Sequence, residues 1–191
     1  RSTPKPSSAA SDVYKRQNVQ SSEKEKFDGV MLDIEPYISD SWKENPEEYM
    51  DRYISCMKKG YKFAQKNHLR TAICIPRHYD NQGLTSGLEE LIKETCDEVA
   101  VMNYSCGNEI EAIRTEAALS EKYGKELHCI LEFQEVGKHG LTENKTYRNK
   151  GIDNAKETWE KLQKEYKNIN VTRDYHWSRP VREMLEEKNA D

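Results

Sequence analysis

Residues 27–36 read FDGVMLDIEP, and this stretch decides the fold of the chain. Apolar and acidic side chains alternate along it, and alternate side chains of an extended strand share one face. One face is therefore apolar and suited to packing against helices, whereas the other carries Met31, Asp33 and Glu35. Pro36 ends the strand, because proline has no N–H to donate to a sheet. The stretch predicts a buried strand that ends in two carboxylates.

Downstream of Pro36, short apolar runs alternate with amphipathic segments. Together with the first strand, these runs predict strands over 27–35, 71–76, 99–104, 127–133 and 170–177. Helices are predicted over 46–67, 88–95 and 109–123, and along the face that contains Ile152, Ala155, Trp159, Leu162 and Tyr166. Strands that alternate with helices predict a parallel sheet with right-handed crossovers.

The fold class that this pattern predicts is α/β, as a partial (β/α)₈ TIM barrel with five parallel strands. A complete barrel needs about 250 residues, and the chain has 191. We therefore expect the N-terminal strands, and the true N-terminus, to be missing. Residues 1–17 lack hydrophobic periodicity and predict a disordered, non-native tail. The partial barrel is expected over 18–184, and a polar tail over 185–191.

Composition excludes several classes of function. The net charge of −4 gives no basic footprint, so no nucleic-acid partner is expected. No apolar run reaches the 18 residues that a membrane span requires. The five cysteines are an odd number without a C-x-x-C pair, which favours free thiols. Clustered metal ligands are also lacking in the sequence, so neither a metal nor an organic cofactor is expected.

The two carboxylates stand where barrel enzymes place their active sites, at the C-terminal end of a strand. Residues 27–35 also resemble the D-G-x-D-x-D-x-E signature on strand four of glycoside hydrolase family 18, the chitinase-like barrels. Asp28, Asp33 and Glu35 match this signature, whereas Met31 stands where the family usually has Asp. The resemblance makes the first predicted strand the fourth of the barrel.

Two later segments extend the resemblance as far as the eighth strand. Met102 and Tyr104 fall on the M-x-Y pattern of the family's sixth strand. Trp177 stands where the family often has a tryptophan beneath the sugar site. Tyr37, in the loop after the acids, is a further candidate for a sugar subsite. Asp28, Met102, Trp177 and Tyr37 are thus the expected substrate-binding residues.

The resemblance implies substrate-assisted hydrolysis of glycosidic bonds in N-acetylhexosamine-containing glycans, which is a recognised exception among glycosidases. Glu35 would protonate the glycosidic oxygen, Asp33 would orient the acetamide of the substrate, and Tyr104 would donate a hydrogen bond to it. A carbohydrate is the expected partner. The resemblance is compatible with a secreted or cell-surface protein, but the sequence leaves the compartment open. Without three of its strands, the chain alone is expected to be inactive.

Two alternatives remain open at the level of the sequence. Because Met31 replaces an acid of the signature, the barrel could bind sugar without cleaving it, as a pseudoenzyme. Glu35 and Glu132 could instead form the acid and nucleophile of a retaining glycosidase, whose carboxyl groups lie about 5–5.5 Å apart.

Overall fold

The computed structural model describes residues 16–190, with side chains described as far as residue 187. Five parallel strands form one open sheet in which each strand pairs with the next one along the chain. The strands are β1 (Gly29–Asp33), β2 (Arg70–Pro76), β3 (Glu98–Met102), β4 (Glu126–Glu132) and β5 (Val171–His176). Each overlaps a strand expected from the sequence, and the α/β fold class is confirmed.

Helices connect the strands and cover the outer face of the sheet. They are α1 (Asp40–Glu44), α2 (Pro46–Lys66), α3 (Thr85–Thr95), α4 (Glu109–Ala112), α5 (Arg114–Tyr123), α6 (Ile152–Glu165) and α7 (Ser178–Ala190). Short 3₁₀ turns occur at Glu23–Glu25, Pro36–Ile38, Asp80–Gln82 and Lys138–Gly140. Residues 16–20 are also helical.

The helices differ from the sequence expectation at two places. The helix expected over 109–123 divides at Ile113, which has a φ of −126° and is buried in the core. Helix α7 was not expected, and it includes most of the residues assigned to a polar tail. It is held by Val181 and Met184, which lie one turn apart and are both buried. The expected N-terminal tail lies almost entirely in residues 1–15, outside the described part of the chain.

The two faces of the sheet differ in what covers them. The outer face carries the apolar residues of the main core, such as Ile73, Val99 and Leu127, which pack against the helices. The indole N–H of Trp159 in α6 donates to the carbonyl of Cys129 in β4 over 3.0 Å. The inner face holds only a small cluster around Cys74, Ala100 and Ile130. The inner face is therefore the concave, uncovered side.

Strand β1 lies very close to β2 at its first residue. Gly29 pairs with Arg70 in the parallel register, and a Cβ on Gly29 would stand 2.7 Å from the Arg70 carbonyl oxygen. Only a glycine fits this approach without moving the backbone. The glycine of the carboxylate strand thus has a packing role.

Among residues 16–190, no helix has the length and apolarity that are needed to cross a bilayer. All five cysteines are free thiols.

Candidate active site

A cavity of about 950 Å³ opens on the concave face, at the C-terminal ends of the strands. Five of the seven residues proposed from the sequence as site residues line it. These five are Asp33, Glu35, Met102, Tyr104 and Trp177. Three separate strand ends supply them, so the fold brings together residues that are more than 140 positions apart in the chain. Met31, the departure from the signature, also lines the cavity and is 53% exposed.

The two acids face the cavity because of the alternation along their strand. Leu32 and Ile34 pack against the main core, which turns Asp33 and Glu35 to the opposite side. Asp33 pairs in register with Cys74 of β2. Burial, followed by the negative charge of Asp33, raises the pKa of the Cys74 thiol to about 12, so the thiol stays protonated beside the acid.

Tyr37 lies against Glu35 but outside the large cavity. Its hydroxyl donates a hydrogen bond to Oε1 of Glu35. Burial and this hydrogen bond both raise the pKa of the Tyr37 phenol, which therefore remains a donor. Its ring meets His78 edge to face, with ring centroids 5.3 Å apart. Tyr37 lines a smaller cavity of about 200 Å³, which shares Met102 and Tyr104 with the large one.

Asp28 is the one proposed site residue that lines neither of these two cavities. It is exposed and precedes β1, at the opposite end of the strand from Asp33 and Glu35. Its carbonyl accepts the Arg70 N–H over 2.9 Å. The expected substrate contact for Asp28 is therefore not supported, because Asp28 lines neither cavity.

Glu132 and His176 form an ion pair inside the cavity, at the ends of β4 and β5. Glu132 Oε2 lies 2.9 Å from His176 Nδ1 and accepts the Gln134 amide over 3.2 Å. Its Oε1 accepts the backbone N–H groups of Phe133 and Gln134, each over 2.8 Å. Glu132 is only 2% exposed. With both oxygens occupied, this arrangement favours a structural carboxylate over a free nucleophile.

The hydrogen bonds set the charges of this pair. Burial tends to raise the pKa of Glu132, but the hydrogen bonds from His176 and Gln134 outweigh it and lower the pKa. The hydrogen bond to Glu132, and the nearby charges of Asp33 and Glu35, raise the pKa of His176. The surroundings of His176 thus favour the protonated form of its imidazole. Glu132 pairs with His176 in the parallel register of β4 and β5. Aligning the two predicted strands would have placed these residues side by side.

Tyr104 and Trp177 supply the aromatic walls. The Tyr104 ring stands over His176, with centroids 6.2 Å apart, and burial raises the pKa of its phenol. Trp177 follows His176 through a cis peptide bond and is 45% exposed at the cavity mouth. Such half-exposed aromatic rings present an apolar face that can stack on a sugar ring.

A second charged cluster lies on the concave face, at the N-terminal end of the strands. Arg70 contacts Glu98 over 2.5 Å and Glu126 over 3.0 Å, and His128 joins Glu98 over 2.8 Å and Asp174 over 3.0 Å. Glu98, Glu126 and His128 have the spacing of metal ligands. The hydrogen bond with Asp174 raises the pKa of His128, however, and a metal ligand must be the neutral imidazole. The cluster is therefore best described as an ion network in which each carboxylate contacts Arg70 or His128.

Comparison with known proteins agrees with the fold. No protein-family model matches the sequence, and no curated protein is detectably similar to it. The structure is similar to the glycoside hydrolase domain of PgaB (BpsB) from Bordetella bronchiseptica, with a TM-score of 0.51 and 10% sequence identity. The match covers 95% of this chain and 59% of that domain. The likeness shows a glycosidase-like α/β fold and is consistent with part of a barrel.

Proposed function

We propose that this chain carries the active site of a glycoside hydrolase of the family 18 type, which acts on N-acetylhexosamine-containing glycans. The observation that carries the proposal is the meeting of Asp33, Glu35, Tyr104 and Trp177 on one cavity at the C-terminal ends of the strands. The similarity to a glycoside hydrolase domain supports the general class. Because the chain spans 59% of that domain, the activity is proposed for a longer protein that completes the barrel.

In the proposed mechanism, Glu35 donates its proton to the glycosidic oxygen as the bond to the leaving sugar breaks. The acetamide carbonyl oxygen of the substrate attacks the anomeric carbon and forms an oxazolinium-like intermediate. Asp33 orients the acetamide and stabilises the positive charge that develops on it, while the Tyr104 hydroxyl donates a hydrogen bond to the carbonyl oxygen. Water then opens the intermediate, and Glu35 takes the proton from that water.

The structure adds two parts to this scheme. Tyr37 fixes the Glu35 carboxyl group by a hydrogen bond to one of its oxygens, which leaves the other oxygen to face the glycosidic bond. His176, which Glu132 binds, is an imidazole beside the two acids, and their charges favour its protonated form. A proton on this imidazole would offset part of the repulsion between Asp33 and Glu35 in the confined site.

The test of the proposal is the substitution Glu35→Gln in the longer protein. Turnover of a chromogenic chitooligosaccharide should fall by at least ~10²-fold, the typical contribution of a general acid. Glu44→Gln in α1, outside the cavity, is the matched control and should leave turnover unchanged. Undiminished hydrolysis by the Glu35→Gln protein would show that Glu35 is not the general acid and would refute the proposed mechanism.

A pseudoenzyme that binds sugar is the second candidate, and Met31 favours it. Its side chain occupies the cavity where the family signature has an acid, so one group that acts on Asp33 is replaced by a thioether. In this case the longer protein binds chitooligosaccharides without cleaving them. The substitution Met31→Asp separates the two candidates, because turnover that appears only in the variant would identify the native protein as a binding barrel.

A further inference from the structure

The cavity of about 200 Å³ beside Glu35 differs from the large cavity in charge. Its lining residues are Tyr37, Pro76, Arg77, His78, Met102, Tyr104 and Lys145. This lining contains two cationic residues and no carboxylate, whereas the large cavity has four carboxylates beside its two cations, Arg173 and Lys145. The four are Asp33, Glu35, Glu132 and Asp174. The combined site therefore has a basic end and an acidic centre.

Neither cation has a salt-bridge partner within the described part of the chain. The guanidinium of Arg77 and the ammonium of Lys145 form no salt bridge with any side chain of residues 16–187. Glu116 is the carboxylate whose pKa Arg77 lowers, but burial dominates and raises that pKa to about 7. Near pH 7, Arg77 therefore faces a carboxyl group that is only partly ionised. His78 adds no charge at neutral pH, because burial and Arg77 lower its pKa.

The backbone holds both cations at the cavity. Lys145 lies in a turn that its own N–H closes on the Thr142 carbonyl over 2.8 Å. The carbonyl of Asn144 accepts the Cys106 N–H over 2.8 Å, and the buried Thr146 hydroxyl donates to the Gln134 carbonyl over 2.7 Å. Residues on both sides of Lys145 are thus anchored to other loops of the site.

Arg77 is held in a similar way on the opposite wall. It directly follows Pro76, the last residue of β2, and precedes Tyr79 by two positions. Pro76 is buried and Tyr79 has no exposed surface, so the backbone on both sides is fixed by packing.

The small cavity opens into the large one. Met102, Tyr104 and Lys145 line both. Tyr37 separates the small cavity from Glu35, to which its hydroxyl is bound. A group in the small cavity would therefore belong to a sugar beside the scissile bond. Whole-ligand pockets run from about 300 Å³ upward, so the small cavity suits a substituent better than a further length of glycan.

We propose that Arg77 and Lys145 form a subsite for a carboxylate borne by the substrate, so that the preferred glycan is an acidic one that contains N-acetylhexosamine. This inference rests on the proposed function for its carbohydrate ligand. Arginine binds a carboxylate through two parallel N–H groups, and lysine adds a point charge. The rings of Tyr37 and Tyr104 pack against the apolar part of the substituent.

The test is binding to the longer protein that completes the barrel, measured by calorimetry with two tetrasaccharides of equal length. One is chitotetraose, which is neutral, and the other alternates N-acetylglucosamine with N-acetylmuramic acid, which carries a lactyl carboxylate. Glu35→Gln is present throughout to prevent turnover. The acidic ligand should bind about tenfold more tightly at low salt, a preference worth about 1.4 kcal/mol. Acetate and inorganic phosphate, titrated alone, show whether a free anion suffices.

Variants assign the preference to the two cations. Arg77→Gln combined with Lys145→Gln should bring the two affinities to within about twofold of each other. Lys145→Gln alone should remove part of the preference. Because the Lys145 side chain is exposed, this variant should fold even if the double variant does not. Lys161→Gln, which lines a different cavity, is the matched control and should keep the full preference.

The outcomes separate this inference from the proposed function. Equal affinity for the two tetrasaccharides, or a preference that survives in the double variant, overturns the subsite and leaves the hydrolase proposal intact. A preference lost in the double variant supports the subsite even where the longer protein hydrolyses nothing. If neither tetrasaccharide binds, both the subsite and the carbohydrate cavity are refuted.

Discussion

Glu116 in α5 is a carboxyl group that folding removes from water without giving it a partner. It has no exposed surface, and neither of its oxygens forms a hydrogen bond to another residue. Burial raises its pKa from 4.5 to about 7, with Asp80 adding to the effect and Arg77 opposing it. The folded protein therefore holds a proton that the unfolded chain releases, and this couples stability to pH.

The coupling predicts a falling stability between about pH 4.5 and pH 7. In this window the folded state binds the proton and the unfolded state does not, so the free energy of unfolding decreases as pH rises, by up to about 1.4 kcal/mol per unit. Glu116→Gln should flatten this slope, as measured by urea denaturation at several pH values. A slope equal to that of the wild type would show that Glu116 is ionised in the folded protein.

Glu132 presents the opposite case, because its charge is matched. The pair contributes stability above the ordinary pKa of a glutamate, where Glu132 is charged, and loses it as pH rises through the raised pKa of His176. Glu132→Gln should return the His176 pKa towards 6.5, as followed by NMR. It should also cost about 1–3 kcal/mol near pH 5.5, because buried donors lose an ionised acceptor. Glu157→Gln, on the exposed face of α6, is the control and should leave the His176 pKa unchanged. An unchanged His176 pKa in Glu132→Gln would show that Glu132 does not raise it.

At the level of elements, the tightest contact lies between β1 and β2. A methyl group on Gly29 would meet the Arg70 carbonyl oxygen at 2.7 Å, and neither backbone can move without breaking the register. Gly29→Ala should therefore lower the free energy of unfolding by about 1–3 kcal/mol, as overpacking does elsewhere.

Gly60→Ala in α2 is the matched control for Gly29→Ala. Its added methyl group would lie 3.7 Å from Leu32, an ordinary contact, and alanine favours a helix interior by roughly 0.5–1 kcal/mol. Thermal denaturation of both variants should shift in opposite directions. Equal shifts would show that the approach of β1 to β2 does not constrain the strand.

The elements also show how far the sequence reaches. Local patterns predicted all five strands. The apolar runs of β2, β3 and β4 are the clearest, because these strands are buried along most of their length. The alternation in 27–36 correctly placed Asp33 and Glu35 on the concave face. Helix α7 was not predicted, because Val181 and Met184 are two apolar residues among many charged ones and give only a weak helical periodicity. The Glu132–His176 pair joins two strand ends, and the small basic cavity depends on loop conformations; neither is encoded by a local pattern.

For the whole molecule, the open sheet predicts an uneven stability. Among residues 16–190, strands β1 and β5 each pair on one side only, whereas β3 pairs on both. Hydrogen exchange should therefore be fastest in peptides that contain β1 or β5 and slowest in β3, since singly paired strands open more readily. Equal protection of β1 and β3 would mean that another surface covers the edge, and sedimentation would then identify a second copy of the chain.

The sequential strand order also bears on how the polypeptide could acquire its shape during synthesis. Each strand pairs only with the strands next to it in sequence, so no later strand has to insert between two strands that have already paired. Each new β/α unit can settle on the edge that its predecessor has just presented. The sheet can therefore grow by one strand at a time during translation. A pause after any helix would leave strands that are already paired as in the complete sheet.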